Sequence, residues 1–385
     1  MAKDLENDPL TKGVTFLSDS QSDFASLEKH LQSGAFGVLQ DQELHEAQQD
    51  LATHQQIAEA IAEGFPWVSP EMHAQLSQFV DVILPTRLDS PMHFRILKGL
   101  VSNIKDAANA IGLDTDEFPH YACIPTGLVN ASAVKLPNVE RSFLLFDSQL
   151  FLYCHLFAKS FARCVPIVGQ DKVISYSIEI DKVESRVQAE PELTTRLSDV
   201  LFAYATTGSP GNAKQYFPEQ SYVPLIDVLR DGMELFVVGH EFAHIYAGHL
   251  SEILRRFSLT SESFDADKES HLKEHEADCL GLLLTLKAMG KKGYDAGLSY
   301  VGVELFFASL DMAARARHIV DHKTDDGYVD LPSESHPSYS KRREILREAL
   351  AMFISEATIV ESMLAVSAQY QEITALLWRY VKASR

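Results

Sequence analysis

The chain has 385 residues, 46% hydrophobic and 23% charged, which allows a large core and two or three domains and excludes disorder over the whole length. A formal net charge of -20 at pH 7 argues against nucleic acid or an anionic membrane surface as the main partner, because neutralising phosphate needs clustered Lys and Arg. MAKDLENDPL has no basic stretch followed by an apolar one, and the most apolar segment, Ser142 to Gly169, is interrupted by Asp147, His155, Lys159 and Arg163. Cys123, Cys154, Cys164 and Cys279 have no close paired spacing, so they do not form a disulfide framework. Together these features predict a reduced, cytoplasmic protein with no membrane span.

Residues 1 to 115 read as an N-terminal helical region. Leu39, Leu44, Leu51, Ile57 and Ile61 recur at helical spacing among polar residues, and His93 to Ile111 repeats the pattern. The histidines here (His30, His45, His54, His73, His93) form no ligand-spaced pair. From Tyr121 to Asp147 the segments YACIP, LVNASAVKL and SFLLFD are short, apolar and separated by Pro and Gly, as strands are. Helix returns after Gln149, and Lys172 to Ile180 predicts a strand or hairpin. TTGSPGNAKQYFPEQ (206–220) is a Gly/Pro/Asn-rich loop and a candidate lid or domain joint. The last 160 residues predict five helices. The first is capped by Asp231 with Glu234 three residues on and closed by Gly248. The others run from Ala266 to Gly290, Asp295 to Ile319, Tyr339 to Phe353 and Thr358 onward.

VVGHEFAHIYAGH places His240 and His244 four residues apart in an apolar helical run. One helical turn puts both imidazoles on one face, as two ligands of a tetrahedral zinc require. Glu241, next to the first histidine, can take a proton from zinc-bound water and return it to a leaving amine. A third ligand lies 30 residues downstream in KEHEADCLG: Glu274, with Asp278 one turn later to accept an N–H from a ligand histidine. Glu276 is the rival carboxylate, but it points nearly away from Glu274 on a helix. His271 and His275 form a second His-x3-His pair without an adjacent base. His249, five residues after His244, is off the ligand face and is expected to end the helix. Ala247 and Leu250 exclude the metzincin pattern HExxHxxGxxH.

Several pieces in order over residues 128–347 resemble the M48-type gluzincin zinc metallopeptidases, the family of the CAAX prenyl protease and the bacterial heat-shock membrane protease. Asn130-Ala131-Ser132-Ala133 is similar to the family's Asn-Ala-Phe-Ala edge strand, and SFLLFDSQLF to its next strand and turn. MELFVVGHEFAHI matches the catalytic helix, EHEAD the Glu-x-x-Ala-Asp segment, and GYDAG a Gly-Tyr-Asp-Pro turn. SHPSYSKRREIL resembles the Ser/Thr-His-Pro segment, with Arg342 six residues after His336. Departures are Ser132 for Phe, Ala296 for Pro, about 80 residues (152–232) where the family has a short link, and no transmembrane helices. A weaker likeness, carried by HEFAHIYAGH alone, is to Lit-type phage-exclusion peptidases.

The resemblance implies an α+β, mostly α-helical protein: a zincin-like core spanning 116–385, with an insertion at 152–232 and a small antiparallel sheet beside the HExxH helix. It implies a zinc endopeptidase acting on protein or peptide substrates, with one Zn2+ per chain held by His240, His244 and Glu274. In it, Glu241 is the base, His336 and Arg342 stabilise the oxyanion, and the Asn130 strand pairs with extended substrate. The competing reading is a catalytically silent or self-inhibited binding module on the same fold.

Overall fold

The structure is a computed structural model and describes residues 15–16, 21–32, 83–86, 88–89, 91–124, 130–136, 138–169, 174–249, 263–333 and 336–384. The helical pattern expected over 39–61, and His45, His54 and His73 with it, lie outside these residues. The chain is mostly helical with a small three-stranded sheet, an α+β composition. It divides into two compact units, residues 1–102 with 116–148 and residues 103–115 with 149–385.

The smaller unit contains α1 (Gln21–Gln32), most of α2 (Pro91–Ala110), a two-residue pairing of β1 (Thr15–Phe16) with β2 (Ile83–Leu84), and the sheet. The sheet is built from β3 (His120–Ile124), β4 (Ala131–Val134) and β5 (Phe143–Asp147) in the order β3-β5-β4. It is mixed, and this corrects the antiparallel expectation: β3 runs parallel to β5, and only β4 runs antiparallel to it. The reason lies in β5, whose five residues FLLFD are all buried. A strand with side chains buried on both faces suits the middle of a sheet, and β5 takes the centre, with its hairpin partner β4 on one side and β3 on the other. Phe24, Leu27, Leu88, Ala122, Ile124, Leu136, Val139, Phe143 and Leu145 form the core of this unit.

The larger unit is helical: α3 (Ser148–Cys164), α4 (Ile180–Ala189), α5 (Glu192–Thr207), α6 (Val223–Tyr246), α7 (Ser263–Lys291), α8 (Ala296–His322), α9 (Tyr339–Phe353) and α10 (Ala357–Ala383). The five helices expected after residue 225 are all present. Asp295 caps α8 by accepting from Leu298 N at 3.0 Å, and Ser338 caps α9 by accepting from Lys341 N at 3.3 Å.

The start of α6 is a correction. It begins at Val223 with Pro224 in its first turn, where a proline's fixed φ suits a helix and its missing N–H costs nothing. Asp231 and Glu234 therefore sit inside the helix and cap nothing. Asp231 is buried and bonded to Arg230 and Lys292 at 2.9 and 2.7 Å. Gly248, at φ +74°, closes α6 as expected.

The stretch 152–232 is packed into this unit: Phe161 stacks on Tyr370 with ring centroids 6.0 Å apart. Its candidate lid, 206–220, is fastened down. Arg163 makes a bidentate pair with Glu219 at 2.8 and 2.7 Å, and Lys159 Nζ donates to the Tyr216 carbonyl at 3.1 Å. The Tyr216 ring is flanked by Lys159, Arg163 and Arg196. Of the strand or hairpin expected over 172–180, the described residues show an antiparallel bridge, Ile167 to Tyr176, flanked by Val168 N donating to the Ser175 carbonyl at 2.9 Å and Ser177 N to the Pro166 carbonyl at 2.8 Å, with residues 170–173 outside the described set. Among the described residues, α8 alone is long and apolar enough to cross a membrane. Its most apolar window is 78% buried, as in the core helix of a bundle.

Candidate metal centre

Two helices of the larger unit build the site. On α6, His240 and His244 face the same way, their ring centroids 4.6 Å apart and their Nε2 atoms 3.0 Å apart. Helix α7 crosses α6 where two glycines meet. A Cβ on Gly281 would come within 2.9 Å of His240 N and 3.1 Å of its Cα, and one on Gly239 within 3.2 Å of the Gly281 carbonyl oxygen. Only hydrogen fits between the backbones at that point. The crossing brings Glu274, two turns before Gly281, over the histidine face.

Glu274 Oε1 lies 3.2 Å from His244 Nε2, and Oε2 lies 3.5 Å from His240 Nε2. One donor atom from each of the three residues falls within 4.8 Å of the others, the only such group among the described residues. Glu274 Oε2 is buried and makes no hydrogen bond. A carboxylate oxygen removed from water without a hydrogen-bond partner is costly unless a cation satisfies it. The donor set fits a metal ion, and Oε2, though 3.4 Å from Arg342 Nη2, has no hydrogen bond that would compete for it. The surrounding charges also favour a cation: burial pushes the His240 ring down, but Asp278 and Glu274 outweigh it and hold the ring up at about 10. Burial would raise the Glu274 carboxyl, yet His240, His244 and Arg342 hold it well below the usual range.

Each histidine has its other ring nitrogen occupied. His240 Nδ1 lies 2.9 Å from Asp278 Oδ1, as the one-turn spacing from Glu274 predicts. Asp278 is fully buried and is gripped by Arg342, whose Nε and Nη2 donate to its two oxygens at 2.7 and 2.6 Å. The Arg342 guanidinium lies over the Phe307 ring, 4.7 Å from its centroid, with Nη2 3.4 Å from Glu274 Oε2. This geometry gives Arg342 a task that the oxyanion expectation did not include. On the other side, His244 Nδ1 lies 3.0 Å from His249 Nδ1, and His249 Nε2 lies 3.2 Å from Glu276 Oε2.

His336 stands at the rim, half-exposed, its Nε2 3.6 Å from Glu274 Oε2. Its loop is folded by Ser333 N donating to the His336 carbonyl at 2.8 Å and His336 N donating to Ser333 Oγ at 2.9 Å. His271 Nε2 lies 3.0 Å from the Ser333 carbonyl and so ties this loop to α7. Partial burial and the cationic surroundings lower the His336 ring below its ordinary value against the pull of Glu274. Glu241 is buried, and its carboxylate is felt by Arg342.

The structure thus brings together His240, His244, Glu274, Asp278, His336 and Arg342, with Glu241 next to His240 on α6. Asn130 belongs to the smaller unit. Its carbonyl accepts from Asp147 N at 3.0 Å and its side chain from Ala131 N at 2.9 Å, both within the sheet, where β4 is an edge strand. Sequence reasoning did not anticipate the contacts of His249 with His244 and Glu276, or of His271 with the Ser333 carbonyl. In comparisons with protein-family models, with curated proteins and with solved structures, the chain matches none.

Proposed function

We propose that the chain is a zinc-dependent endopeptidase that hydrolyses peptide bonds in protein substrates, binding one Zn2+ per chain through His240, His244 and Glu274. The observation that carries the reading is the buried triangle of two imidazole nitrogens and a carboxylate, one of whose oxygens makes no hydrogen bond. Ligands about 2.0–2.2 Å from a tetrahedral zinc stand roughly 3.3–3.5 Å apart; the two imidazole nitrogens here, 3.0 Å apart, and His244 to Glu274 Oε1, 3.2 Å, fall slightly short of that range, and His240 to Glu274 Oε2, 3.5 Å, is at its upper end. His2Glu is an established catalytic zinc set, and HExxH puts a carboxylate beside the first ligand, where a closed structural site has no use for one. The order and spacing of the motifs, similar to those of M48-type gluzincins, support the same reading, and the composition supports a cytoplasmic location.

Zinc in this place supplies Lewis acidity that activates water and polarises a carbonyl. Glu241 accepts the proton of the attacking water on its carboxylate and passes it to the departing amine nitrogen. His336, at the exposed side of the triangle, donates a ring N–H to the oxygen that gains charge. Arg342, with Nε and Nη2 on Asp278, is a positioning residue: it holds the carboxylate that orients His240. Phe307 and the buried walls of the two helices keep water away from this pair.

The test is Glu241→Gln, which keeps the shape and removes the base. Zinc content stays near one per chain by metal analysis, while cleavage of an unfolded protein substrate falls by at least about 10²-fold. Full activity in this variant, or a wild-type chain that takes up no zinc, overturns the reading.

A further inference from the structure

Resting on the zinc reading above, we propose that His249 and Glu276 are positioning residues for His244, joined to it in a hydrogen-bonded relay that dictates which ring nitrogen His244 offers to the metal. The turn that closes α6 creates the relay. Gly248, at φ +74°, reverses the chain, and His249 N donates to the His244 carbonyl at 3.0 Å, which folds the His249 side chain back beside the last helical turn. His249 is buried, with its ring centroid 5.2 Å from that of His244. Its two nitrogens are both used, Nδ1 at 3.0 Å from His244 Nδ1 and Nε2 at 3.2 Å from Glu276 Oε2.

With His249 neutral and a bound cation in place of any proton between His244 Nε2 and Glu274 Oε1, which stand 3.2 Å apart, the three groups have one consistent set of protons. An ionised carboxylate only accepts, so the nitrogen of His249 that faces Glu276 must carry its hydrogen. A neutral imidazole has one N–H, so His249 Nδ1 is then a bare acceptor. It can face His244 Nδ1 at 3.0 Å only if His244 carries its hydrogen there. That leaves the lone pair of His244 on Nε2, the atom that points at His240 and Glu274. In the reverse arrangement the bare Nε2 of His249 would face the Glu276 carboxylate, lone pair against lone pair. A carboxylate on the outer surface of α7, 68% exposed, thus sets the tautomer of a metal ligand two groups away. Sequence spacing gives no sign of it, because His249 follows a left-handed turn and Glu276 points away from Glu274.

The test compares the full-length wild-type chain with His249→Ala, His249→Asn and Glu276→Ala, using zinc affinity by chelator competition. His249→Ala lowers the affinity by about 10- to 100-fold, the usual range for a ligand's hydrogen-bond partner. His249→Asn, whose amide oxygen can occupy the position of Nδ1 and accept from His244, recovers most of it. Glu276→Ala gives a smaller loss. Such rescue by an acceptor is not expected of a histidine that merely fills space. A second readout needs no variant: nitrogen NMR of the zinc-loaded wild-type protein shows His249 protonated at Nε2 and His244 at Nδ1. A wild-type chain without zinc affinity overturns both proposals. Zinc binding with unchanged affinity in His249→Ala, or His249 protonated at Nδ1 in the loaded protein, overturns this one alone.

Discussion

Two aspartates, one in each compact unit, are almost wholly removed from water, and they ionise in opposite directions. Asp89, in the smaller unit, accepts from Thr86 N at 2.9 Å, Thr86 Oγ1 at 2.6 Å and Cys123 N at 2.5 Å. Burial outweighs these three neutral donors and raises its carboxyl to about 7. Asp278, in the larger unit, suffers the same burial, yet Arg342 and His240 hold its carboxyl below the usual value of 3.8. Neutral hydrogen bonds soften the burial of a carboxylate, whereas a bidentate guanidinium reverses its effect on ionisation. A fixed negative charge is useful where a histidine must be held in one tautomer beside a cation. Where the carboxyl meets only neutral donors, as at Asp89, a proton serves as well.

The sharpest way to break this contrast is Arg342→Ala. It leaves the Asp278 charge buried without its main partner, and such removals cost about 3–5 kcal/mol. Denaturant unfolding of the metal-free chain measures it directly, and a loss below about 0.5 kcal/mol, the range of ordinary surface changes, would mean that Asp278 does not depend on the guanidinium. Next in size is Asp278→Asn, which keeps the shape but removes the charge behind His240. Zinc affinity falls by about 10- to 100-fold while the fold persists.

Asp89→Asn sharpens the other half through pH. A carboxyl whose folded value is raised contributes stability that is complete below its unfolded value near 3.8 and is lost as pH rises through about 7. The melting temperature of the wild-type chain relative to Asp89→Asn therefore declines from pH 4 to above pH 7 and then levels. A difference that is flat with pH would show Asp89 ionised at its ordinary value. The smallest effect belongs to Lys341→Ala, next in sequence to Arg342. Lys341 and Glu344 form an exposed pair at 2.8 Å on α9, and its removal leaves melting and zinc affinity unchanged.

How much of this was legible beforehand follows from the range of the interactions. His240, His244 and Glu241 share one helical turn, and the turn joining Glu274 to Asp278 is equally local, so residue spacing alone predicted their geometry. The limits of α9 were legible too, because Ser338 and the residues after it carry a local capping signal. What sequence spacing misjudged was either overridden locally or decided at a distance. The Asp231–Glu234 pattern looks like a cap, but Pro224 had already started the helix seven residues earlier. The parallel pairing of β3 with β5 depends on which strand is buried on both faces, a property of the assembled sheet. Asp89 meets Cys123 across 34 residues, and Glu276 meets His249 across 27. No period in the sequence announces either contact.

With only hydrogen between Gly281 and the His240 backbone, the spread of the three donors is set by how closely two helices can approach. On the zinc reading proposed above, that approach would act as a gauge, fixing the ligand distances open to an ion before ligand preference has any part. Calcium, which takes six to eight oxygens at about 2.3–2.6 Å, is too large and finds too few ligands in such a gauge. Gly281→Ala would place its methyl carbon 2.9 Å from His240 N, forcing the helices apart and widening the gauge. On that reading, selectivity among cations would then shift toward larger ions although no ligand had been touched.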